Sequence, residues 1–264
     1  MPVDILAHII GRQPSAMVST LRPTAALLHV VEYYCWYTHG HNGKAWAVLD
    51  GQPALVFLLN EGSINFTGKH EKVINDGCFC NGTLENTYLG EMDTDTQLLV
   101  IKFKADGYGY LKTLLQPTPG VTIMELPAVM LELLYTLRKA GSRQQQAGIL
   151  NTFLEQRLPD DITGNFLLQS AANIIQQQKG QILVADICTL LKVNYKWLER
   201  NFRIHTGVTP KQYISNIRFL HTWMDVQQAA QSLTSIALNN GYYDQNHFIK
   251  AYKKYTGSVP SAVK

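Results

Sequence analysis

Ile187 … Leu198-x3-Phe202-x4-Gly207-x2-Pro210 and Ile236 … Phe248-x3-Tyr252-x4-Gly257-x2-Pro260 are one pattern written twice. From the large apolar residue to the proline the spacings are identical, and the second copy lies about fifty residues after the first. Each copy predicts two short helices meeting at a tight turn, with Gly and Pro ending the second helix. Both second helices are rich in Lys, Arg, Gln and Asn. That combination points to two units reading adjacent grooves of DNA.

In the first copy, Leu183–Leu191 predicts a short helix with Val184, Ile187, Leu190 and Leu191 facing inward. Lys192-Val193-Asn194 makes the turn, and the Asn194 side chain can accept free backbone N–H groups of the helix it starts. That helix, Tyr195–Ile204, is anchored by Leu198 and Phe202, four residues apart. Tyr195, Lys196, Glu199, Arg200 and Arg203 then fall on or near its exposed side. The second copy predicts a helix over Leu233–Asn239, a turn at Asn240-Gly241, and a helix capped by Tyr243 or Asp244. Phe248 and Tyr252 are its anchors, while Gln245, Asn246, His247 and Lys250 point outward. Gln and Asn can pair in bidentate fashion with adenine, and Lys or Arg suit guanine or phosphate. Between the copies, Thr209–Val226 reads as one helix begun by Pro210. At 1.5 Å per residue it is about 27 Å long. With the width of the packed helices added, the separation approaches one turn of B-DNA, about 34 Å.

The charge is distributed to match. Residues 165–264 hold eleven Lys+Arg against four Asp+Glu, a net +7, whereas residues 1–164 hold twelve against sixteen, a net −4. A basic carboxy-terminal part beside a mildly acidic front suits a nucleic-acid reader with a separate control domain. The chain of 264 residues is 46% hydrophobic and 16% charged, the composition of a soluble globular protein. Its longest strictly apolar run, Ala54–Leu59, is too short to cross a bilayer, and the amino terminus carries no basic-then-apolar signal. A cytoplasmic protein with no membrane partner is expected. Cys35, Cys78, Cys80 and Cys188 form no zinc-finger spacing and are expected to be buried free thiols.

The front half reads as β-structure. Leu27–Tyr37, Ala45–Leu49, Ala54–Leu59, Ile64–Thr67, Leu84–Leu89 and Leu98–Phe103 are predicted strands, punctuated by Asp50-Gly51, Glu61-Gly62, Asp76-Gly77 and Asn81-Gly82. Many short strands at this spacing predict an antiparallel, cupin-like barrel or a sandwich. Over 126–140, Leu126, Val129, Met130, Leu133, Leu134 and Leu137 make one helical stripe. Gly141-Ser142 breaks the chain, and Ile149, Leu150, Phe153 and Leu154 make a second stripe. These helices either pack onto the barrel or form a dimer seam. Pro159–Gly164 is polar and turn-rich, so the expected domains are 1–160 and 165–264. The fold class is α+β in front of an all-α double helix-turn-helix domain.

The whole of 165–264 resembles the DNA-binding domain of AraC/XylS-type transcription regulators. The resemblance is carried by Asn194-Tyr195-Lys196-Trp197-Leu198-Glu199-Arg200-x-Phe202, Gly207-Val208-Thr209-Pro210-x2-Tyr213 and Arg218, and by Ile236-Ala237-x3-Gly241-Tyr242-x-Asp244-Gln245-x2-Phe248-x3-Tyr252-Lys253-x3-Gly257-x2-Pro260. It implies that Lys196, Glu199 and Arg200, and then Gln245, Asn246, His247 and Lys250, occupy base-reading positions. Cys188 departs from the usual Ala, and Thr222, Trp223 and Asp225 depart from the usual small, basic and apolar run of the linker helix. Residues 1–158 follow the order of a sensing or dimerising domain, a small barrel followed by helices. The implied partners are double-stranded DNA and RNA polymerase, with a small-molecule effector in the front barrel or a second copy of the chain as the controlling partner. No cofactor is expected.

Enzymatic readings are weaker. His39-x-His41 resembles part of a cupin metal site, with Cys35, His70 and Glu71 as imaginable neighbours, but no Glu follows His41 at the required distance. Gly40 and Gly43 make 39–43 read as a loop, which predicts histidines in a surface turn. No Gly-x-Ser-x-Gly, phosphate-binding loop or paired-carboxylate arrangement appears. Alkyl transfer to cysteine would need a zinc-held cysteine cluster that the chain lacks. The expectation is a regulator and not an enzyme. The alternatives are a ligand-independent dimeric regulator and a metal-binding cupin fused to a DNA-binding domain.

Overall fold

The computed structural model describes residues 17–40, 43–47, 52–67, 72–75, 77–81, 88–115, 123–125, 128–157, 164–228, 231–256 and 259–260. The front half is built of strands β1 (Met17–Leu21), β2 (Val31–Thr38), β3 (Gly43–Ala47), β4 (Ala54–Leu58), β5 (Ser63–Thr67), β6 (Lys72–Asn75), β7 (Cys78–Asn81), β8 (Tyr88–Met92), β9 (Gln97–Phe103) and β10 (Ile123–Glu125). They form two antiparallel sheets, β1-β2-β9-β4-β7-β10 and β3-β8-β5-β6, rather than one closed barrel. Helices α1 (Gly107–Leu115), α2 (Ala128–Lys139) and α3 (Arg143–Glu155) accompany them.

Period-two placement explains why β2, β4 and β9 read as nearly continuous apolar runs: the larger sheet is covered on both faces. Cys35, Tyr37, Val56, Leu58, Leu98 and Val100 face Ile64, Phe66, Ile74 and Met92 of the smaller sheet. Their alternates Tyr34, Trp36, Leu55, Phe57, Leu99, Ile101 and Phe103 face the three helices. Met130, Leu133, Leu134 and Leu137 of α2, with Leu150 and Leu154 of α3, fill that layer. The described residues of both predicted stripes therefore pack onto the sheet, while Leu126 and the Val129 side chain lie outside the described part of the structure. Buried Gln146 links three elements there, accepting from Trp36 Nε1 and donating to the Leu137 carbonyl.

Several boundaries move. The segment predicted to begin a strand at Leu27 starts with a 3-10 turn, Ala25–Leu27, and β2 begins at Val31. Strands β1, β6, β7 and β10 were not predicted; three of the four are edge strands and β7 lies directly beside one, where a short run needs little apolar signal. His39 is fully buried rather than in a surface turn, because Tyr37 Oη lies 2.7 Å from its Nδ1 and its backbone is bonded to Asp95 and Thr96. Cys35 and Cys78 are buried free thiols, but Cys188 is half-buried. Burial pushes the Cys78 thiol up to about 12. His41, His70, Glu71, Asp50-Gly51 and the junction 158–163 lie outside the described residues.

The back half is helical: α4 (Phe166–Gln177), α5 (Val184–Leu191), α6 (Tyr195–Thr206), α7 (Pro210–Gln228), α8 (Leu233–Asn239) and α9 (Gln245–Thr256). Its core gathers Leu168, Ile175, Ile187, Leu198, Phe202, Tyr213, Ile217, Phe219, Leu220, Trp223, Ala237, Phe248 and Tyr252. Ala105, from the turn after β9, belongs to the same core, so the two halves meet there. The fully buried Asp106 carboxylate accepts from the Asn165 backbone N–H at 2.8 Å and from Gln169 Nε2 at 3.0 Å. Gly109 of α1 sits so close to His205 of α6 that a β-carbon would approach its Nδ1 to 2.8 Å. Among the described residues no helix is long and apolar enough to cross a membrane.

Two predictions follow from this packing. Asp106→Ala leaves the Asn165 N–H and the Gln169 amide without their shared acceptor, and is expected to cost about 2 kcal/mol in urea unfolding. A change within error would show that the joint contributes nothing to stability. His221 of α7 is buried, and burial first, then the Lys179 ammonium, hold its imidazole down to about 4 against the opposite pull of Asp225. The unfolded chain therefore takes up a proton near pH 6.5 that the folded chain refuses until about pH 4, so this contribution to stability is lost as pH falls through that window. His221→Gln is expected to narrow the gap between urea midpoints at pH 7 and pH 5; an unaltered gap would contradict it.

Candidate nucleic-acid interface

The duplicated pattern folds as a duplicated structure. Asn194 caps α6, its Oδ1 accepting from the Trp197 N–H at 2.8 Å. Fifty positions later, Asp244 Oδ1 accepts from the His247 N–H at 2.7 Å and starts α9 the same way. Such a cap satisfies one of the backbone donors that a helix start leaves free. Leu198 and Phe202 on α6, and Phe248 and Tyr252 on α9, all have no exposed surface. The anchors fix which face of each helix is inside, and hence which is outside.

The turns are built for the purpose. Lys192 adopts a left-handed conformation (φ 53°) between α5 and α6, and Gly241 does so (φ 73°) between α8 and α9. Gly207, also left-handed at φ 77°, ends α6, and Pro210 opens α7. There Thr209 and Gln212 bond reciprocally, Thr209 Oγ1 accepting from the Gln212 N–H and Gln212 Oε1 accepting from the Thr209 N–H. Ile187 and Ile236 are buried beneath the first helix of each motif. Leu190, expected inside, is instead 62% exposed, because α5 spans barely two turns and its core contact is taken by Ile187.

On α6, Lys196, Arg200 and Arg203 are exposed, Tyr195 is 51% exposed and Glu199 is half-buried. Glu199 pairs with Arg203 at 3.2 Å, so its carboxylate is turned along the helix toward a cation. On α9, Asn246, His247 and Lys250 are exposed, and Gln245 is half-buried with its Oε1 accepting from Thr234 Oγ1 at 2.6 Å. The His247 ring stands edge-on to Tyr242, centroids 5.2 Å apart. All nine residues singled out from sequence thus lie on the two capped helices, five on one and four on the other. Tyr243, beside the α9 cap, is 87% exposed.

The back of α6 is tied to the front half. Asn165 Nδ2 donates to Asn201 Oδ1 at 2.7 Å, and Asn201 Nδ2 donates to the Trp197 carbonyl at 2.8 Å. Because the Asn165 N–H also reaches Asp106, a chain of hydrogen bonds runs from the turn after β9 into the first reading helix.

Residues 187–264 match the helix-turn-helix domain family model. The transcriptional activator RhaS of Pectobacterium carotovorum is 34% identical over 67 residues, 25% of this chain and 24% of its own. The uncharacterized regulator YidL of Escherichia coli is 35% identical over 80 residues, 30% of this chain and 27% of its own. The chain thus spans about a quarter of the length of these curated relatives. A solved structure of ToxT from Vibrio cholerae aligns over 94% of this chain and 96% of its own, at 12% identity and a TM-score of 0.46. The segment that matches the helix-turn-helix domain model, 187–264, holds the second helix of each capped motif and the helix that joins them.

Proposed function

We propose that this chain is a bacterial one-component transcription regulator whose α6 and α9 read two successive major grooves of double-stranded DNA. The observation that carries this reading is the pair of capped helices at a fifty-residue offset, each burying its anchors and exposing a polar, largely basic face. Lys196, Arg200 and Lys250 supply cation contacts, Asn246 and Gln245 suit adenine edges, and Glu199 suits cytosine N4. Tyr195, Arg203 and His247 flank them. Contacts to phosphate supply most of the affinity and make it salt dependent.

The front half, residues 1–160, is the controlling domain in this reading, and 165–264 is the reading domain. Its control acts through the Asp106–Asn165–Asn201 connection to α6. A small-molecule effector fits better at the junction than between the sheets, where Phe66, Phe79 and their neighbours fill the described space. At the junction a recess of about 310 Å³ is lined by Glu32, Gln52, Lys104, Gln169 and Gln177, among others. An effector there controls the protein only if it binds the two arrangements of the halves differently. RNA polymerase enters as a partner because relatives are named activators. A ligand-independent dimer is the second reading, favoured by Leu131 and Tyr135, which stay exposed on α2. A melting-temperature screen separates the two, since a specific ligand raises stability and a purely dimeric regulator shows concentration dependence alone.

Selection of sites from random duplex DNA by the full-length chain is the direct test. A two-part motif with centres about one helical turn apart is expected. Lys196→Ala and Asn246→Ala should each weaken binding to the selected site by about 1–3 kcal/mol while leaving the melting temperature unchanged. Unchanged affinity in both would remove these helices from the groove.

A further inference from the structure

The linker helix α7 does more than separate the two motifs. Arg218, midway along it, donates from Nε to the Gly180 carbonyl at 2.9 Å and from Nη1 to the Gly241 carbonyl at 3.2 Å. Gly180 lies in the turn that leads into α5, and Gly241 lies in the turn between α8 and α9. One planar guanidinium therefore holds a turn on the first motif's side and the turn of the second. Gly180 is seated hard against the strut, for a β-carbon there would come within 2.4 Å of the Arg218 backbone nitrogen and 2.5 Å of the Ile214 carbonyl.

Two further bonds lie beside this one. Asn240 Nδ2 donates to Asp225 Oδ2 at 2.7 Å, two turns along α7 from Arg218, and Asn240 is buried. Gln181 Nε2 donates to the Asn239 carbonyl at 3.1 Å, joining the two turns directly. Asn239, Asn240 and Gly241, three consecutive residues, are thus each fastened to α7 or to the first motif's side. Asp225 is one of the residues that depart from the family's usual linker pattern, and this bond gives it a role.

We propose that Arg218, backed by Asp225, is a positioning residue that fixes the distance and phase between the two reading helices, and so makes the protein select DNA by half-site spacing. The proposal rests on the DNA-reading assignment above. One base pair of added spacing moves a half-site by about 3.4 Å and rotates it by about 35°. A pair of motifs held rigidly cannot follow that displacement, whereas a loose pair can. Arginine suits the task because its fork reaches two carbonyls at fixed geometry, which a lysine ammonium on a flexible stem does not reproduce.

The test compares the full-length wild type with Arg218→Lys and with Asp225→Ala, the latter at an exposed position. Spin labels on bio-orthogonal ketone side chains at positions 204 and 253 read the distance between α6 and α9 without using the native cysteines. Duplexes carry the selected half-sites at the selected spacing, at one base pair more and at one fewer, and one half-site alone. The wild type should give one narrow distance and lose about tenfold affinity on either change of spacing. Arg218→Lys should broaden the distance and shrink the spacing penalty to about threefold or less, with half-site binding within about twofold of wild type; Asp225→Ala should move both in the same direction by less. An unbroadened distance in both variants overturns the proposal. So does an equal loss at every spacing with a shallower salt dependence, the mark of a lost phosphate contact. If the distance broadens but the wild type shows no base-specific binding, the DNA-reading assignment fails and spacing selection falls with it, while the strut itself stands.

Discussion

The burial of α7 is the constraint on which the reading half depends. Tyr213, Ile214, Ile217, Phe219, Leu220, Trp223 and Met224 are buried around most of its circumference, so the helix has little solvent face. An element in that position has to be packed by others around most of its surface, and the two motifs, together with α4, are what pack it. Phe202 meets Tyr213 edge-on at 5.2 Å, and Phe219 lies edge-on to Tyr252 and stacked on Tyr255. The anchors of both reading helices therefore end on one common support. Buried aromatic contacts of this kind resist sliding, because a shift of one side chain leaves a void or a clash.

Charge and capping then act on a frame that packing has already set. Each reading helix is started by a side chain that accepts from its third backbone N–H, so its first turn is ordered without help from a ligand. The polar residues near those starts are carried on rigid backbone. In the proposed reading, Glu199 and Gln245, paired with Arg203 and Thr234, would have to give up those partners or share them with a base. Such exchanges favour a ligand that replaces the lost hydrogen bonds, which is a source of discrimination between bases.

The joint between the halves is polar where the two cores are apolar. Asp106, Asn165, Gln169 and Asn201 form its connected part, with Ala105 the small apolar contact that lets the β9 turn enter the helical core. A hydrogen-bonded joint of this size can exchange one arrangement for another at modest cost, whereas the aromatic core around α7 cannot. Any signal from the front half is therefore expected to change the joint and the placement of α6 before it changes the core.

The sequence by itself determined what is local or periodic. The repeat, the Asn194 cap, the left-handed Gly241, the helix begun by Pro210 and the outward positions of α6 and α9 all follow from spacing that backbone geometry imposes over a few residues, whereas the choice of Asp244 over Tyr243 as the second cap does not. The apolar runs of β2, β4 and β9 likewise announced strands. Tertiary structure alone decided how those pieces meet: two sheets in place of a closed barrel, the larger sheet buried on both faces, and short strands such as β6 and β7 recruited by their neighbours. It also decided the fate of isolated polar residues. Gln146 is buried, Asp106 joins the halves and Asp225 fastens a turn, because each finds its partner across a long sequence separation. A hydrogen bond between distant residues leaves no period in the chain, so only the folded arrangement can reveal it.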